Sequence, residues 1–269
     1  MTPDIVTVTP ETTLPDAHRI MSAKKIRCLL IMRNDQLVGI VTRRGLLRAD
    51  PSSMAMAASW VGHYPLSEET VEKIMTTEVI TISKDAQIGK AARVMLENKI
   101  TSLPVVDADR KLVGILTSSD LFRMVVEEMV GEAIPVKAWM TSEPETITPE
   151  TTLLEVHRVM GVKRIRSLPV MEGNKLVGIV TRTDLLSADP SKLYSKGDQD
   201  RSRQIVDQPA RIIMTPNPMT ISEDEMMQKA AKLMLDHKFH CLPVVNDDGK
   251  LVGIVTETDI FHMIVHKGW

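Results

Sequence analysis

The seven residues GIVTRRG at 39–45 return as GILTSSD at 114–120, GIVTRTD at 178–184 and GIVTETD at 253–259. Four versions of one stretch in a chain of 269 residues make internal repetition the first thing to explain. The motif threonines, Thr42, Thr117, Thr181 and Thr256, lie 75, 64 and 75 residues apart, so the copies come in two pairs. An offset of 139 residues carries Thr42 onto Thr181 and Thr117 onto Thr256. It also carries PETTL at 10–14 onto PETTL at 149–153, with no insertion or deletion. A two-copy unit that duplicated whole accounts for this pattern.

Each copy has one order of elements, clearest in repeat 2. EVITIS (78–83) is a short β-rich run. DAQIGKAARVMLENK then sets Ile88, Ala91, Ala92, Met95 and Leu96 at helical spacing on one face. TSLPVVD and LVGILT, joined by the polar ADRK, read as a hairpin, and SSDLFRMVVEE closes as a second helix. The expected class is mixed α/β (α+β), with four β-α-β-β-α repeats at 1–56, 73–131, 136–195 and 210–269. A unit that small has little core of its own, so the repeats are expected to pair into modules 1–131 and 132–269. The connectors at 49–72 and 188–211 differ. The first is apolar, carries Trp60 and Tyr64, and is expected to pack on the other module or on a second chain. The second, SKLYSKGDQDRSRQ, is charged and is expected to be solvated.

Charge is nearly balanced, with 33 basic and 35 acidic residues and a net charge of −2. That argues against general affinity for a nucleic-acid backbone and against a DNA-binding regulator. No apolar run approaches the roughly 18 residues that span a bilayer. The start, MTPDIVTVTP, lacks the basic and apolar parts of a signal peptide. The expectation is a cytoplasmic protein without a membrane partner. Methionine numbers 18, against three Phe, two Tyr and three Trp, so the core must come from Ile, Leu, Val, Met and Ala. Met21, Met95, Met160 and Met234 occupy equivalent helix positions and read as a core stripe. The helical pairs His237/His240 and His262/His266 lack a third ligand, so they read as surface or pocket histidines and no metal site is expected. No Ser-His-Asp order, phosphate-binding loop or paired carboxylates stand out, so no catalytic residue is assigned and no enzyme is expected.

The motif itself carries two readings. Its glycine is expected to end a strand and allow a close backbone approach. Its threonine stands where strand turns into helix, and the aspartate follows one turn later. [ST]-x-x-[DE] ahead of an apolar run is a capping box, in which side chains satisfy the free N–H groups of the first turn. The same helix start suits an anion such as phosphate. There the hydroxyl can donate to a phosphate oxygen, and the carboxylate can accept from two ribose hydroxyls.

Repeats of this size and order, with TSLPVVD followed by GILTSSD, resemble CBS domains, and their pairs resemble Bateman modules. The resemblance covers essentially the whole chain. It implies clefts between paired repeats that bind adenosine-containing ligands, with the motif aspartate on the ribose and the hydroxy residue near the phosphate. Carried over, this assigns Thr117 with Asp120, Thr181 with Asp184, and Thr256 with Asp259. In such a family no cofactor is required. The regulatory ligand is AMP, ADP or ATP, with magnesium if it is ATP; S-adenosylmethionine and NAD remain alternatives. The implied protein is a freestanding sensor that signals to an effector protein in trans, as a homodimer or an intramolecular disc. A structural or interaction scaffold without a physiological nucleotide stays open beside it.

Two further positions recur. A first-strand threonine occurs at Thr7, Thr81, Thr146 and Thr220; in the family this neighbourhood contacts base or ribose, while strand propensity explains it equally well. Arg27, Thr101, Arg166 and His240 stand just before each SLPV-like strand. In relatives such as the gamma subunit of AMP-activated protein kinase the matching position binds phosphate, which implies ligand contacts for Arg166, His240 and Arg27. Cys28 and Cys241 replace Ser102 and Ser167, where a small residue is wanted. Repeat 1 departs from the pattern. Gly45 replaces the aspartate, and CLLI loses the strand proline, so its pocket is expected to be empty or to serve as an anion site through Arg43 and Arg44.

Overall fold

A computed structural model describes residue 1 and residues 5–49, 69–129, 131–187 and 207–268. The expectations for the two connectors, with Trp60 and Tyr64, fall almost wholly outside these residues. Repeat 1 forms β1 (Thr7–Val8), α1 (Leu14–Lys24), β2 (Cys28–Arg33), β3 (Gln36–Thr42) and α2 (Arg43–Ala49). Repeat 2 forms β4 (Ile82–Ser83), α3 (Ile88–Asn98), β5 (Ser102–Val106), β6 (Leu112–Thr117) and α4 (Ser118–Glu128). Repeat 3 forms β7 (Thr141–Ser142), α5 (Leu153–Val162), β8 (Ser167–Glu172), β9 (Lys175–Thr181) and α6 (Arg182–Ser187). Repeat 4 forms β10 (Thr215–Pro216), β11 (Ile221–Ser222), α7 (Met227–His237), β12 (Cys241–Val245), β13 (Leu251–Thr256) and α8 (Glu257–Lys267).

In repeats 1 and 2 the first strand, and in repeat 4 β11, lies parallel to the first strand of the hairpin, and each hairpin is antiparallel, as in Thr7 opposite Leu30 and Cys28 opposite Thr42. In repeat 3 a single parallel bridge, Ile147 to Val170, takes the place of the first strand. The first helix of each repeat is the crossover that a parallel pair requires. Thr13 starts α1 by accepting from the Asp16 N–H, with Pro15 in the first turn. All four crossover helices are followed by left-handed basic residues instead of glycine: Lys25, Lys99, Arg164 and Lys238, at φ 54°, 54°, 56° and 58°. A cation there meets the negative end of the helix dipole and offsets part of the strain. Met21, Met95, Met160 and Met234 are each 1% exposed, and the expected stripe is core.

The described residues divide into two compact units. The first holds residue 1 and residues 5–49, 69–87 and 100–117, hence the sheets of repeats 1 and 2. Within it, Cys28 Sγ and Ser102 Oγ come within 3.6 Å, joining the two hairpins at equivalent residues. The second holds residues 88–99, 118–129, 131–187 and 207–268. There the opening segments of repeats 3 and 4 are exchanged: β10 pairs with β9, while β7 pairs with β13. Helices of repeat 2 pack on helices of repeat 4 in reciprocal fashion, α3 on α8 and α4 on α7. Phe122 meets Phe261 with ring centroids 6.3 Å apart, and Ser118 meets Glu257; each pair is related by the 139-residue offset. This is a self-complementary helix interface inside one chain.

The motif glycines do not end strands. Gly39, Gly178 and Gly253 lie inside β3, β9 and β13, and the threonine is the last strand residue. The close approach is made by a methionine of the neighbouring repeat's opening segment. A Cβ on Gly39 would stand 2.4 Å from Met75 Sδ, on Gly178 2.7 Å from Met214 Sδ, and on Gly253 2.5 Å from Met140 Sδ. The bare backbone thus forms the seat on which each exchanged segment is pinned.

Gly45 has a different environment. Its N–H donates to Thr42 Oγ1 at 3.1 Å, so half of the capping box survives. A Cβ there would find only ordinary contacts, at 3.6 Å to Thr42 Oγ1 and 3.8 Å to Val41. Gly45→Asp is therefore expected to raise stability by about 0.5–1 kcal/mol, through helix propensity and the restored cap. Thermal unfolding measures this directly.

Candidate ligand-binding site

Each motif threonine closes a strand, and each motif aspartate stands in the first turn of the helix that follows. In repeat 3 the Thr181 N–H and hydroxyl both donate to Asp184 Oδ2, at 2.8 and 2.7 Å, and the Asp184 N–H donates back to Thr181 Oγ1 at 3.4 Å. In repeat 4 the Thr256 N–H and hydroxyl donate to Asp259 Oδ2 at 2.7 and 2.8 Å. The capping reading is thus realised in full. It leaves one carboxylate oxygen over: Oδ1 of Asp184 and of Asp259 takes no bond from another described residue. The threonine proton is committed to the carboxylate. Donation to a ligand phosphate would require that hydroxyl to turn away. Asp120 lies 3.5 Å from Arg123 on α4, and Thr117 is half-buried at the end of β6.

Beside Asp259 lies a cavity of about 370 Å³, lined by Trp139, Asp259, His262, Val265 and His266. It is a hollow largely open to solvent, which would enclose a ligand only in part. The last four residues come from α8, with Asp259, His262 and Val265 three apart and His266 four beyond His262, which puts them on one side of the helix. Trp139 comes from the segment ahead of β7, and its ring meets His266 edge-on at 5.5 Å. The indole supplies a stacking face, the imidazoles supply donors and acceptors, and the carboxylate accepts hydroxyls. Burial pushes the Asp259 carboxyl above its ordinary range, against the Thr256 hydrogen bonds that pull it down.

The residues before the SLPV-like strands meet the helix starts through equivalent backbone bonds. Arg43 N–H donates to Arg27 O at 2.7 Å, Arg182 N–H to Arg166 O at 2.8 Å, and Glu257 N–H to His240 O at 3.1 Å. Arg27, Arg166 and His240 are exposed, and Arg166 also donates to Lys99 O at 3.2 Å. His240 Nδ1 lies 2.8 Å from Glu257 Oε1, which also accepts from Ser118 Oγ at 2.9 Å. Glu257 is one of three buried polar residues, with His18 and Ser118, among the described ones. Thr81 and Thr220 are half-buried just ahead of β4 and β11, whereas Thr7 and Thr146 are exposed. Neither His240 nor Thr220 lines the cavity at Asp259.

Sequence reasoning missed Trp139, Ser118 and Glu257. Trp139 stands where the other opening segments carry Ile74 and Ile213, a departure visible in the sequence. Ser118 and Glu257 share one motif position, but nothing in the sequence shows that they touch. Among the described residues no three His, Cys, Asp or Glu side chains are grouped to hold a metal, and no helix is long and apolar enough to cross a membrane.

Cys241 Sγ donates to Ser167 Oγ at 3.1 Å, the counterpart of Cys28 with Ser102. Burial raises its thiol to about 11. Little thiolate exists at neutral pH, so alkylation by iodoacetamide at pH 7.5 should be at least tenfold slower than in denatured protein, by a rough estimate from thiolate fraction and access.

Comparison with known proteins now adds to this geometry. The CBS domain family matches residues 1–52, 71–127, 136–191 and 210–266. The chain belongs to the CBS-domain family. Its four CBS repeats account for most of its length. It is 29% identical to the uncharacterized protein MJ1225 of Methanocaldococcus jannaschii over 95% of this chain and 94% of that protein. The crystal structure of MJ1225, described as a candidate archaeal homolog of g-AMPK, aligns with a TM-score of 0.73 and 26% identity over 98% of this chain and 97% of that one. An uncharacterized conserved protein from Pyrococcus horikoshii aligns with a TM-score of 0.67 over 98% of this chain and 97% of that chain; at 22% identity it speaks to the fold alone.

Proposed function

We propose that this CBS protein is a regulatory sensor, not an enzyme, that binds an adenosine-containing ligand against the motif aspartates and reports occupancy to a partner protein. The observation that carries the reading is the cavity beside Asp259, where one carboxylate oxygen is left over by the cap. The base would lie against Trp139, the ribose hydroxyls would reach Asp259, and AMP, ADP or ATP (with magnesium for ATP) would be the ligand class. Likeness to a candidate homolog of g-AMPK supports an adenine nucleotide. Asp184 with Thr181, and Asp120 with Thr117, would offer further sites. Arg166, Arg27 and the first-strand threonines would serve as secondary contacts.

Pairing of repeats into modules 1–131 and 132–269 belongs to the same proposal. The Cys28–Ser102 and Cys241–Ser167 contacts support it, since each joins the two repeats of one module at matching residues. A ligand shifts such a protein only by its differential affinity for two arrangements.

A scaffold without a physiological ligand is the second reading, favoured by the complete capping box at Thr256 and Asp259. Calorimetric titration with AMP, ADP, ATP and S-adenosylmethionine, together with mass spectrometry of co-purifying small molecules, separates the two. Saturable binding of an adenosine compound that Asp259→Ala weakens supports the sensor. No binding at submillimolar ligand supports the scaffold.

A further inference from the structure

Residues 131–139 lie in the chain between α4 of repeat 2 and β7 of repeat 3, yet they are docked on repeat 4. At the near end, Gln228 of α7 donates through Nε2 to Met129 O at 2.6 Å and to Glu132 O at 2.8 Å, and Lys267 at the end of α8 pairs with Glu132. In the middle, the Met227 N–H donates to Ile134 O at 2.8 Å, the Val136 N–H to Glu225 O at 2.7 Å and the Lys137 N–H to Glu223 O at 2.9 Å. Trp139 stands at the far end, its ring against His266. Matching backbone bonds hold the counterpart segments. The Val71 and Glu72 N–H groups donate to Thr12 O and Pro10 O, and those of Ala210 and Arg211 to Thr151 O and Pro149 O. The difference lies in the residue ahead of the seated methionine. Ile74 and Ile213 pack against the cores of repeats 1 and 3, whereas Trp139 lines the cavity beside Asp259.

From this geometry we infer that the repeat 4 site reports its occupancy through residues 131–139: a ligand seated on Trp139 holds this segment down on repeat 4, and with it the joint between repeats 2 and 3. The inference rests on the adenosine-sensor reading above. The cavity has two kinds of wall. Asp259, His262, Val265 and His266 belong to one helix, while Trp139 is in place only when the segment that carries it is docked. A ligand that stacks on the indole therefore binds the docked chain and not the undocked one, so its binding adds to the stability of docking. Local opening of such a segment is a separate event from global unfolding, which makes the effect visible one amide at a time. The counterpart segments end on core isoleucines and have no share in this cavity, so the response is confined to 131–139.

The test is amide hydrogen exchange on the full chain carrying Asp120→Ala and Asp184→Ala, with and without AMP at about 100 times its Kd. Exchange at Val136 and Lys137 is expected to slow by at least about tenfold, the limit set by linkage being about 100-fold. The matching amides of Val71, Glu72, Ala210 and Arg211 are expected to stay within about twofold of their ligand-free rates, on the same linkage argument. Trp139→Ile installs the residue found in repeats 1 and 3 and is expected to weaken AMP by roughly tenfold through lost stacking. The inference is overturned if AMP occupies the repeat 4 site, as its loss in Asp259→Ala would show, while Val136 and Lys137 exchange as before. It is equally overturned if the matching amides slow as much as these two, or if Trp139→Ile binds AMP undiminished. The exchange comparison needs no change at 139 and decides even if Trp139→Ile does not fold. Failure of the sensor reading looks different: AMP does not bind even the unsubstituted chain, and this inference falls with it.

Discussion

Asp259→Ala lowers the affinity of the repeat 4 site for adenosine compounds by about 100-fold, as measured by calorimetry in protein carrying both Asp120→Ala and Asp184→Ala. The magnitude follows from hydrogen bonds to a charged acceptor, worth about 1.5–3 kcal/mol each; two ribose hydroxyls are lost, and water offsets part of the loss. The same substitution removes the acceptor that caps α8, at a cost of about 1 kcal/mol in stability. Asp259→Asn separates the two effects, because an amide oxygen still caps while the charge is gone. It is expected to bind weakly at nearly full stability.

The pH dependence has a definite sign. Burial raises the Asp259 pKa in the folded protein, so the folded state holds this proton at a pH where the unfolded chain has released it. The contribution of Asp259 to stability is therefore largest at low pH and declines as pH rises through the unfolded and then the folded pKa. A ligand that donates two hydroxyls needs the carboxylate. Its affinity should fall as pH is lowered through the raised pKa, beginning above the range where an ordinary aspartate titrates. A flat affinity profile across that range, with Asp259→Ala binding normally, would remove Asp259 from the site.

Gly253→Val lowers stability by roughly 3 kcal/mol, at the upper end of what overpacking costs. The new Cβ would meet Met140 Sδ at 2.5 Å and the Thr141 carbonyl oxygen at 3.0 Å. A thioether can move, but Thr141 O belongs to β7, which pairs with β13 at this point, Gly253 lying opposite Ser142. The exchanged segment must shift or detach. For a chain of this size the expected loss in Tm is about 5–10 °C. The alanine series should be graded: Gly253→Ala worst, Gly178→Ala next with Thr215 O at 3.3 Å, and Gly39→Ala mildest, since Met75 side-chain atoms alone are its nearest neighbours. Met140→Ala combined with Gly253→Val should recover part of the loss, and a double-mutant cycle reads that coupling. Additive losses would mean that the glycine is not a methionine seat.

The glycine illustrates where sequence reasoning stopped. Its recurrence in GIVTRRG, GIVTRTD and GIVTETD signals a close approach, and an approach exists. A repeat read alone cannot say that the visitor is Met75, Met214 or Met140 from the neighbouring repeat. The placement within the strand was missed because the strand runs on through the threonine, its ladder extending to Cys241 opposite Thr256. The helices fared better. Ile88, Ala91, Ala92, Met95 and Leu96 were set on one face by spacing alone; Ala91, Ala92 and Met95 are buried, and Ile88 and Leu96 are half-buried. Thr181–Asp184 and Thr256–Asp259 were legible as caps because a cap is local, its partners three residues apart. The cavity beside Asp259 was not legible, since Trp139 and α8 are more than a hundred residues apart in the chain.

By itself, then, the sequence determined the number of repeats, the order of elements within each, the core face of the crossover helices and the helix starts where a ligand could be held. These depend on periodicity and on contacts within a turn or a hairpin, which the chain carries wherever it goes. The tertiary structure alone decided that repeats 3 and 4 trade their opening segments, that Ser118 and His240 enclose Glu257, and that a cavity opens at one motif aspartate. Those outcomes depend on which surfaces of four similar repeats face one another, and near-identical local sequences cannot specify a choice among themselves.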